Sequence, residues 1–383
     1  MKKHLIAAAV AAAVVAPAFA QSSVSVYGRL DGGYLDRETK YNSAKVNSST
    51  QKTSAGTAFS SFTTSRLGFM GTEDLGNGLK AGFVVEGNIQ PAAGTTGSNN
   101  ATDMNFGRQQ YLTLSGNFGT VLIGKTDAMV KSVFDNYDAG FSNNLTGAFD
   151  SFSDGTQTSG SGGSGIVGNR RDTTVRYTAP SFSGLNVSVG LMRDTTSSDT
   201  LGKGENASGF ELGLRYATGA LSVAAAYRDT ESKTPSVAQV NPTCTTTSIV
   251  AGCTTGTAAV AATNDEVKTW GLGASYDLGM AVLFGQYFDQ EDKNKVSSAK
   301  VDTNAYAIGI RVPMGTSTLF ASYTDGEYKP SGTKTDQKGY QLGVKYDLSK
   351  RTYAYAAYGD KEEKAGANKL EARDVAIGIA HSF

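Results

Sequence analysis

The segment "YQLGVKYDLSKRTYAYAAYGD", Tyr340 to Asp360, alternates with a period of two. Tyr340, Leu342, Val344 and Tyr346 fall on one side, and Gln341, Gly343 and Lys345 on the other. Successive side chains of a strand point to opposite faces, so this is a strand with one apolar and one polar face. "DLSK" interrupts it as a tight turn, and a second strand runs on to Tyr358 and Asp360. The same unit, ending at or near Tyr-x-Asp, recurs in "TWGLGASYDLGMAVLFGQYFD" (269–289) and "YAIGIRVPMGTSTLFASYTD" (306–325). A spacing of roughly 35 residues marks a repeated architecture.

Working outward, "GLNVSVGLM" places Leu185, Val187, Val189 and Leu191 on one face, and "GFELGLRY" does so with Phe210, Leu212, Leu214 and Tyr216. Such segments number sixteen, near 24–35, 62–73, 79–90, 104–115, 119–126, 172–179, 185–194, 208–216, 220–229, 266–276, 280–289, 302–312, 316–325, 337–347, 351–359 and 372–383. Short turns such as "DLGNG", "SGNFG", "ATGA" and "DLGM" join them at one end. The opposite connections, 36–60, 126–170, 231–265 and 361–371, read as long polar loops. A soluble sandwich also alternates, but three features favour a membrane barrel. The turn-and-loop asymmetry is one. Tyr and Phe concentrated at strand ends, as in interfacial girdles, is another. Charged residues at mid-strand inward positions are the third, because a dry core would not hold them. The expectation is an all-β fold, a sixteen-stranded antiparallel transmembrane barrel, whose even strand number lets the sheet close and pair every backbone group. "DVAIGIAHSF", 374–383, reads as the closing strand paired to the first.

Composition agrees. The chain has 46 Gly, 18 Tyr and 17 Phe against 7 Pro and 1 Trp, which suits many short strands. Lys and Arg total 35, as do Asp and Glu, so nothing suggests nucleic acid as a partner. Residues 1–20 have a basic start, an apolar run and a small-x-small end at Ala18-Phe19-Ala20, which reads as a secretory signal peptide ahead of a 21–383 barrel domain. Cys244 and Cys253, in "CTTTSIVAGC", are expected to form a local disulfide in an oxidising compartment. With one histidine, His381, after the leader, most His-based triads and zinc sites are excluded, and no cofactor or metal is expected. Glu73 and Asp74 are neighbours in a strand and point to opposite faces, so they are no catalytic pair.

"SVSVYGRLDGGY", "SRLGFMGTEDLGNGLKAGFVVEG", "FGRQQYLTLSGNFGTVLIGK" and "RRDTTVRYTAPSFSGLNVSVGL" together resemble the general diffusion porins of Gram-negative bacteria, closest to the betaproteobacterial type. The resemblance spans nearly the whole chain after the leader. It implies a homotrimer in the outer membrane, contact with outer-membrane lipid and lipopolysaccharide, and a third long loop folded inward as a constriction. It also implies that the terminal aromatic, Phe383, is part of the signal read by the barrel-assembly machinery.

By motif position, the basic wall of such a constriction would be Arg29, Arg66, Arg108 and Lys125, with Arg170 and Arg171 where the chain returns to the wall. The acidic side would come from the loop after the fifth strand: Asp127, Asp135 and Asp138. The Pro-Glu-Phe-Gly turn frequent in this family's loop does not occur here. Opposed charges would set a transverse field across the pore, whereas solvated rim charges would not. The leading function is passive diffusion of small hydrophilic solutes and ions. The alternatives are a substrate-selective porin, which an aromatic ladder along the constriction would favour, and a barrel-anchored adhesin or enzyme.

Overall fold

The computed structural model describes residues 23–42, 57–60, 62–89, 105–149, 152, 170–196, 205–234, 244–245, 252–253, 263–330 and 334–383. In chain order the strands are β1 (Ser23–Asn42), β2 (Thr57–Ser60), β3 (Arg66–Gly76), β4 (Leu79–Asn88), β5 (Asn105–Gly116), β6 (Gly119–Asp127), β7 (Arg170–Thr178), β8 (Leu185–Thr196), β9 (Glu205–Thr218) and β10 (Leu221–Thr234). Then come β11 (Cys244–Thr245), β12 (Gly252–Cys253), β13 (Thr263–Asp277), β14 (Val282–Asn294), β15 (Lys300–Met314), β16 (Ser317–Lys329), β17 (Thr335–Asp347), β18 (Thr352–Ala365) and β19 (Asn368–Ser382). One helix, α1 (Met129–Tyr137), follows β6.

Sixteen of these strands, β1, β3–β10 and β13–β19, form one closed antiparallel barrel. The seam joins β1 to β19 from Arg29↔Ser382 to Asn42↔Lys369. Phe383 completes it: its N–H donates to the Gly28 carbonyl and the Gly28 N–H to its own carbonyl, both at 3.1 Å. Val375, Ile377 and Ile379 are exposed on the outside, while Ala376 and Ala380 are buried on the inside. That is the facing expected from the alternation. The turn after β3 is built from Asn77 (φ 52°) and Gly78 (φ 78°), both left-handed as a two-residue hairpin turn requires.

Two expectations about strand limits are corrected. Segment 361–371, read as a polar loop, is strand on both sides, paired without interruption to Ala365↔Asn368. The reason lies beyond Tyr-x-Asp. Five strands carry Tyr-x-Asp-x-Glu on the outward face: Tyr34-Asp36-Glu38, Tyr227-Asp229-Glu231, Tyr287-Asp289-Glu291, Tyr323-Asp325-Glu327 and Tyr358-Asp360-Glu362. The tyrosine hydroxyls of residues 323 and 358 donate to the aspartate two residues on, at 3.0 and 3.2 Å. Cross-strand pairs such as Lys300–Glu291 (2.8 Å) and Lys369–Glu362 (2.8 Å) tie the ladder together above the apolar band. In the turn after β14, Lys295 bridges Glu231 and Glu266, and its hydrogen bond to Glu231 is the main cause raising its ammonium pKa.

The second correction is at β3, which starts at Arg66 rather than 62. Residues 62–65 leave the wall and turn inward onto Asp31, 1% exposed. Its carboxylate accepts from Phe62 N–H (3.2 Å), from Thr63 N–H (2.8 Å) and Oγ1 (2.6 Å), and from the Tyr355 hydroxyl (2.8 Å). Above Arg29, the edge of β1 that β3 vacates is met by β2.

Candidate constriction site

After β6 the chain crosses the barrel interior. Met129, Val130, Val133, Phe134 and Tyr137 line one face of α1 and are buried. Their helical spacing sets them against the inner wall of β10 and β13. Phe134 meets Phe149 and Phe288 at ring distances of 5.2 and 5.6 Å. Each buried side chain of this size contributes roughly 2 kcal/mol. The wall is smooth where they dock: a Cβ on Gly213 would lie 2.9 Å from Met129 Sδ, and one on Gly271 2.8 Å from Phe134.

Polar anchors fix the rest of the segment. Wall residue Glu211 is fully buried and accepts the Met129 N–H at 3.0 Å, placing a carboxylate at the helix N-terminus, where the dipole favours it. Arg311 donates to the carbonyls of Asp138 and Ala139 and lies 3.8 Å over the Phe141 ring. Asn143 donates to Gln341 at 2.5 Å, and Asp374 accepts the Thr146 N–H at 2.7 Å while holding Arg37 by two bonds. The Asn144 N–H donates to Phe62 O at 2.8 Å, joining this segment to the inward piece 62–65.

The space left between α1 and the opposite wall is a cavity of about 400 Å³. Arg29, Arg66, Arg108 and Arg170 line it from the wall, together with Asp127. Lys131, Asp135, Phe141, Ser142 and Asn144 line it from the inserted segment, and Thr63 and Thr64 from the inward piece. Arg108 is 8% exposed and donates through Nε to Glu86 at 2.6 Å and through Nη1 to Asn88 Oδ1 at 3.0 Å. Arg66 stands 3.7 Å from the same carboxylate. Arg170 pairs with Asp127 at 2.9 Å, Lys131 with Asp135 at 2.7 Å, and Arg29 donates to Thr63 Oγ1 at 3.0 Å. Counting Glu86, five cations face three carboxylates.

Six of the residues singled out from the sequence therefore meet at one place: Arg29, Arg66, Arg108, Arg170, Asp127 and Asp135. The other three do not join them. Asp138 is buried and closes its own turn, accepting from Gly140 N–H (3.1 Å) and Ser142 N–H (2.7 Å). Lys125 pairs with Gln110, one place along the same side of β5 from outward-facing Leu112. The irregularity at Gly124 (φ 133°), where the pairing to β7 shifts, lies just before it. Arg171 pairs through its backbone with Thr126, and its side chain lies outside the described part. So do the thiols of Cys244 and Cys253, whose backbones face each other in the β11–β12 pair, and the whole leader. Sequence reasoning missed Glu86, Lys131, Thr63 and Asp31. Glu86 carried a signal, being an acid at an inward strand position.

A model of the Gram-negative porin family matches residues 7–366. Outer membrane porin protein 32 of Delftia acidovorans is 33% identical, over 99% of this chain and 95% of its own. The major outer membrane protein P.IB of Neisseria lactamica is 28% identical over the full length of both. Among solved structures, an anion-selective porin from Comamonas acidovorans superposes with a TM-score of 0.67 at 26% identity, covering 95% of this chain and all of that one. The inward-pointing charges and the closed sheet suit a polar lumen, and with these likenesses the chain belongs to the Gram-negative porin family, as an outer-membrane channel for passive diffusion of solutes.

Proposed function

We propose that the channel prefers small hydrophilic anions and that the cavity between α1 and Arg29, Arg66, Arg108 and Arg170 is its narrowest, selective point. The observation that carries this is the excess of cations there, which raises the local concentration of anions and lowers that of cations. The solved relative from Comamonas acidovorans is described as anion-selective, which supports the same reading. No covalent step is assigned to the lumen. The test is the reversal potential of purified protein in a planar bilayer under a KCl gradient. An anion-selective sign supports the proposal, and a cation-selective sign overturns it.

The active unit is proposed to be a homotrimer. No described strand from β3 to β9 carries the Tyr-x-Asp-x-Glu ladder, and the outward row there runs through Phe83, Leu112, Ile123, Val175 and Leu191. An arc without the charged ladder fits contact with another copy better than contact with lipid headgroups. Residues 1–20 are proposed to be removed on export, Cys244 and Cys253 to be bonded, and Phe383 to be read by the barrel-assembly machinery. The charged ladder on the remaining arc would meet lipopolysaccharide headgroups.

A further inference from the structure

A second cavity, of about 410 Å³, opens from the constriction toward the end that carries the short turns. Arg29, Thr63, Asp135, Phe141 and Ser142 line both spaces, so the two adjoin. Its volume is within the ~300–1,000 Å³ of small-molecule sites. Two chemistries meet on its walls. Arg29, Lys345 and Arg351 supply positive charge, with Arg311 behind them. Phe141 and Tyr353 supply ring surface, backed by buried Phe62 at the edge.

The rings are held from behind. Phe62 stacks on Tyr355 at 4.7 Å, and its N–H is bound to Asp31. Phe141 is covered on one side by the Arg311 guanidinium and meets Phe320 edge-on at 5.7 Å. The Lys345 ammonium is fixed 2.7 Å from Asp347 and 4.8 Å from the Tyr353 ring centre. A bare conduit for inorganic ions has no use for a fixed aromatic wall beside its cations. A planar anion uses both, with its carboxylate on the cations and its ring on the aromatic surface.

From this juxtaposition we infer that the chamber on the short-turn side is a saturable site for aromatic carboxylates. The inference rests on the channel reading and sharpens it from anions in general to a planar organic class. It also supplies the aromatic feature that a substrate-selective porin would need.

The test uses the purified full-length protein in a planar bilayer in KCl, with benzoate as probe. Acetate and cyclohexanecarboxylate are controls: each carries the same charge, and the second is of similar size without an aromatic face. Benzoate should reduce the KCl current saturably, while the two controls at equal concentration do not. Tyr353→Leu and Lys345→Gln should each raise the half-blocking concentration about tenfold, the equivalent of ~1.4 kcal/mol, read against each variant's own unblocked current. Lys364→Gln, a change on the outer ladder, should leave it where it was. Equal block by benzoate and cyclohexanecarboxylate, or half-blocking concentrations unmoved in both chamber variants, overturns the site. Absence of any KCl current would instead overturn the channel reading beneath it.

Discussion

Replacing Arg66 and Arg108 together by Gln should move ion selectivity toward cations by an amount the constriction geometry sets. The cavity they line has a volume of about 400 Å³, equivalent to a sphere ~5 Å in radius. At that distance one unit charge acts on an ion at the centre with about 0.8 kcal/mol in water. Screening over a Debye length of about 8 Å cuts this to roughly 0.4 kcal/mol. Two lost charges then shift the local potential by about 0.9 kcal/mol, and because an anion loses what a cation gains, the anion-to-cation ratio falls about twentyfold.

Glu86→Gln is the counter-experiment. Glu86 is 3% exposed and holds Arg108 at 2.6 Å, and the amide keeps an oxygen to accept that bond. One lost negative charge should raise the ratio about fourfold by the same arithmetic. The assay is the reversal potential across a KCl gradient in a planar bilayer. A merely structural effect, such as loosening of the wall, would move both variants toward no selectivity. Reversal potentials that stay put in both, or that shift in the same direction, refute the electrostatic reasoning.

Other consequences follow from single contacts. Asp31→Ala leaves the buried N–H groups of Phe62 and Thr63 without their acceptor, each costing about 1–3 kcal/mol. Residues 62–65 should then detach, seen as larger and noisier single-channel current. Gly271→Leu would drive a side chain into Phe134, so α1 should leave the wall, raising susceptibility of the inserted segment to protease and weakening anion preference. Deleting Phe383 removes the last two backbone bonds of the seam with Gly28. The yield of assembled barrel should fall while conductance per assembled channel holds. If Cys244 and Cys253 are bonded, unreduced protein will take up no thiol reagent even when unfolded.

The barrel was legible because lipid and water on opposite faces force a period of two, and that period survives in nearly every strand. Legibility failed where both faces meet water. Above Tyr358 and Asp360 the alternation turns polar on both sides, and sequence alone reads 361–371 as loop. Cross-strand ion pairs, including Lys369–Glu362, hold it as sheet instead. The arginines of the site could be found by motif position, through the family resemblance, and four of them, Arg29, Arg66, Arg108 and Arg170, line one cavity. Asp138 could not be sorted from Asp135, since a turn hydrogen-bond pattern buries one and the exposed face of α1 carries the other. Lys125 is not among the residues lining the cavity, and an irregularity at Gly124 lies between it and the regular strand. Asp31 carried no sequence signal, and only the inward fold of 62–65 shows what it binds.

The inward positions also explain where the opening lies. Gly190, Gly213, Gly271, Gly273, Gly309 and Gly339 face the lumen on β8, β9, β13, β15 and β17, and each lies against the inserted segment. At all but Gly190, whose Cβ would only touch Met129, a side chain would press on Met129, Phe134, Tyr137, Ala139 or Phe152. Across the barrel, the inward positions of β1, β3, β5 and β7 carry Arg29, Arg66, Arg108 and Arg170 instead. Glycine lets the segment lie close, and long arginines, held by Glu86 and Asp127, line the space left on the other side. The described wall is thus divided by residue type into a half on which the segment docks and a half lined by arginines. On the proposed reading, solutes pass off-centre, beside the arginines, because the glycine-lined half of the wall is covered by the segment.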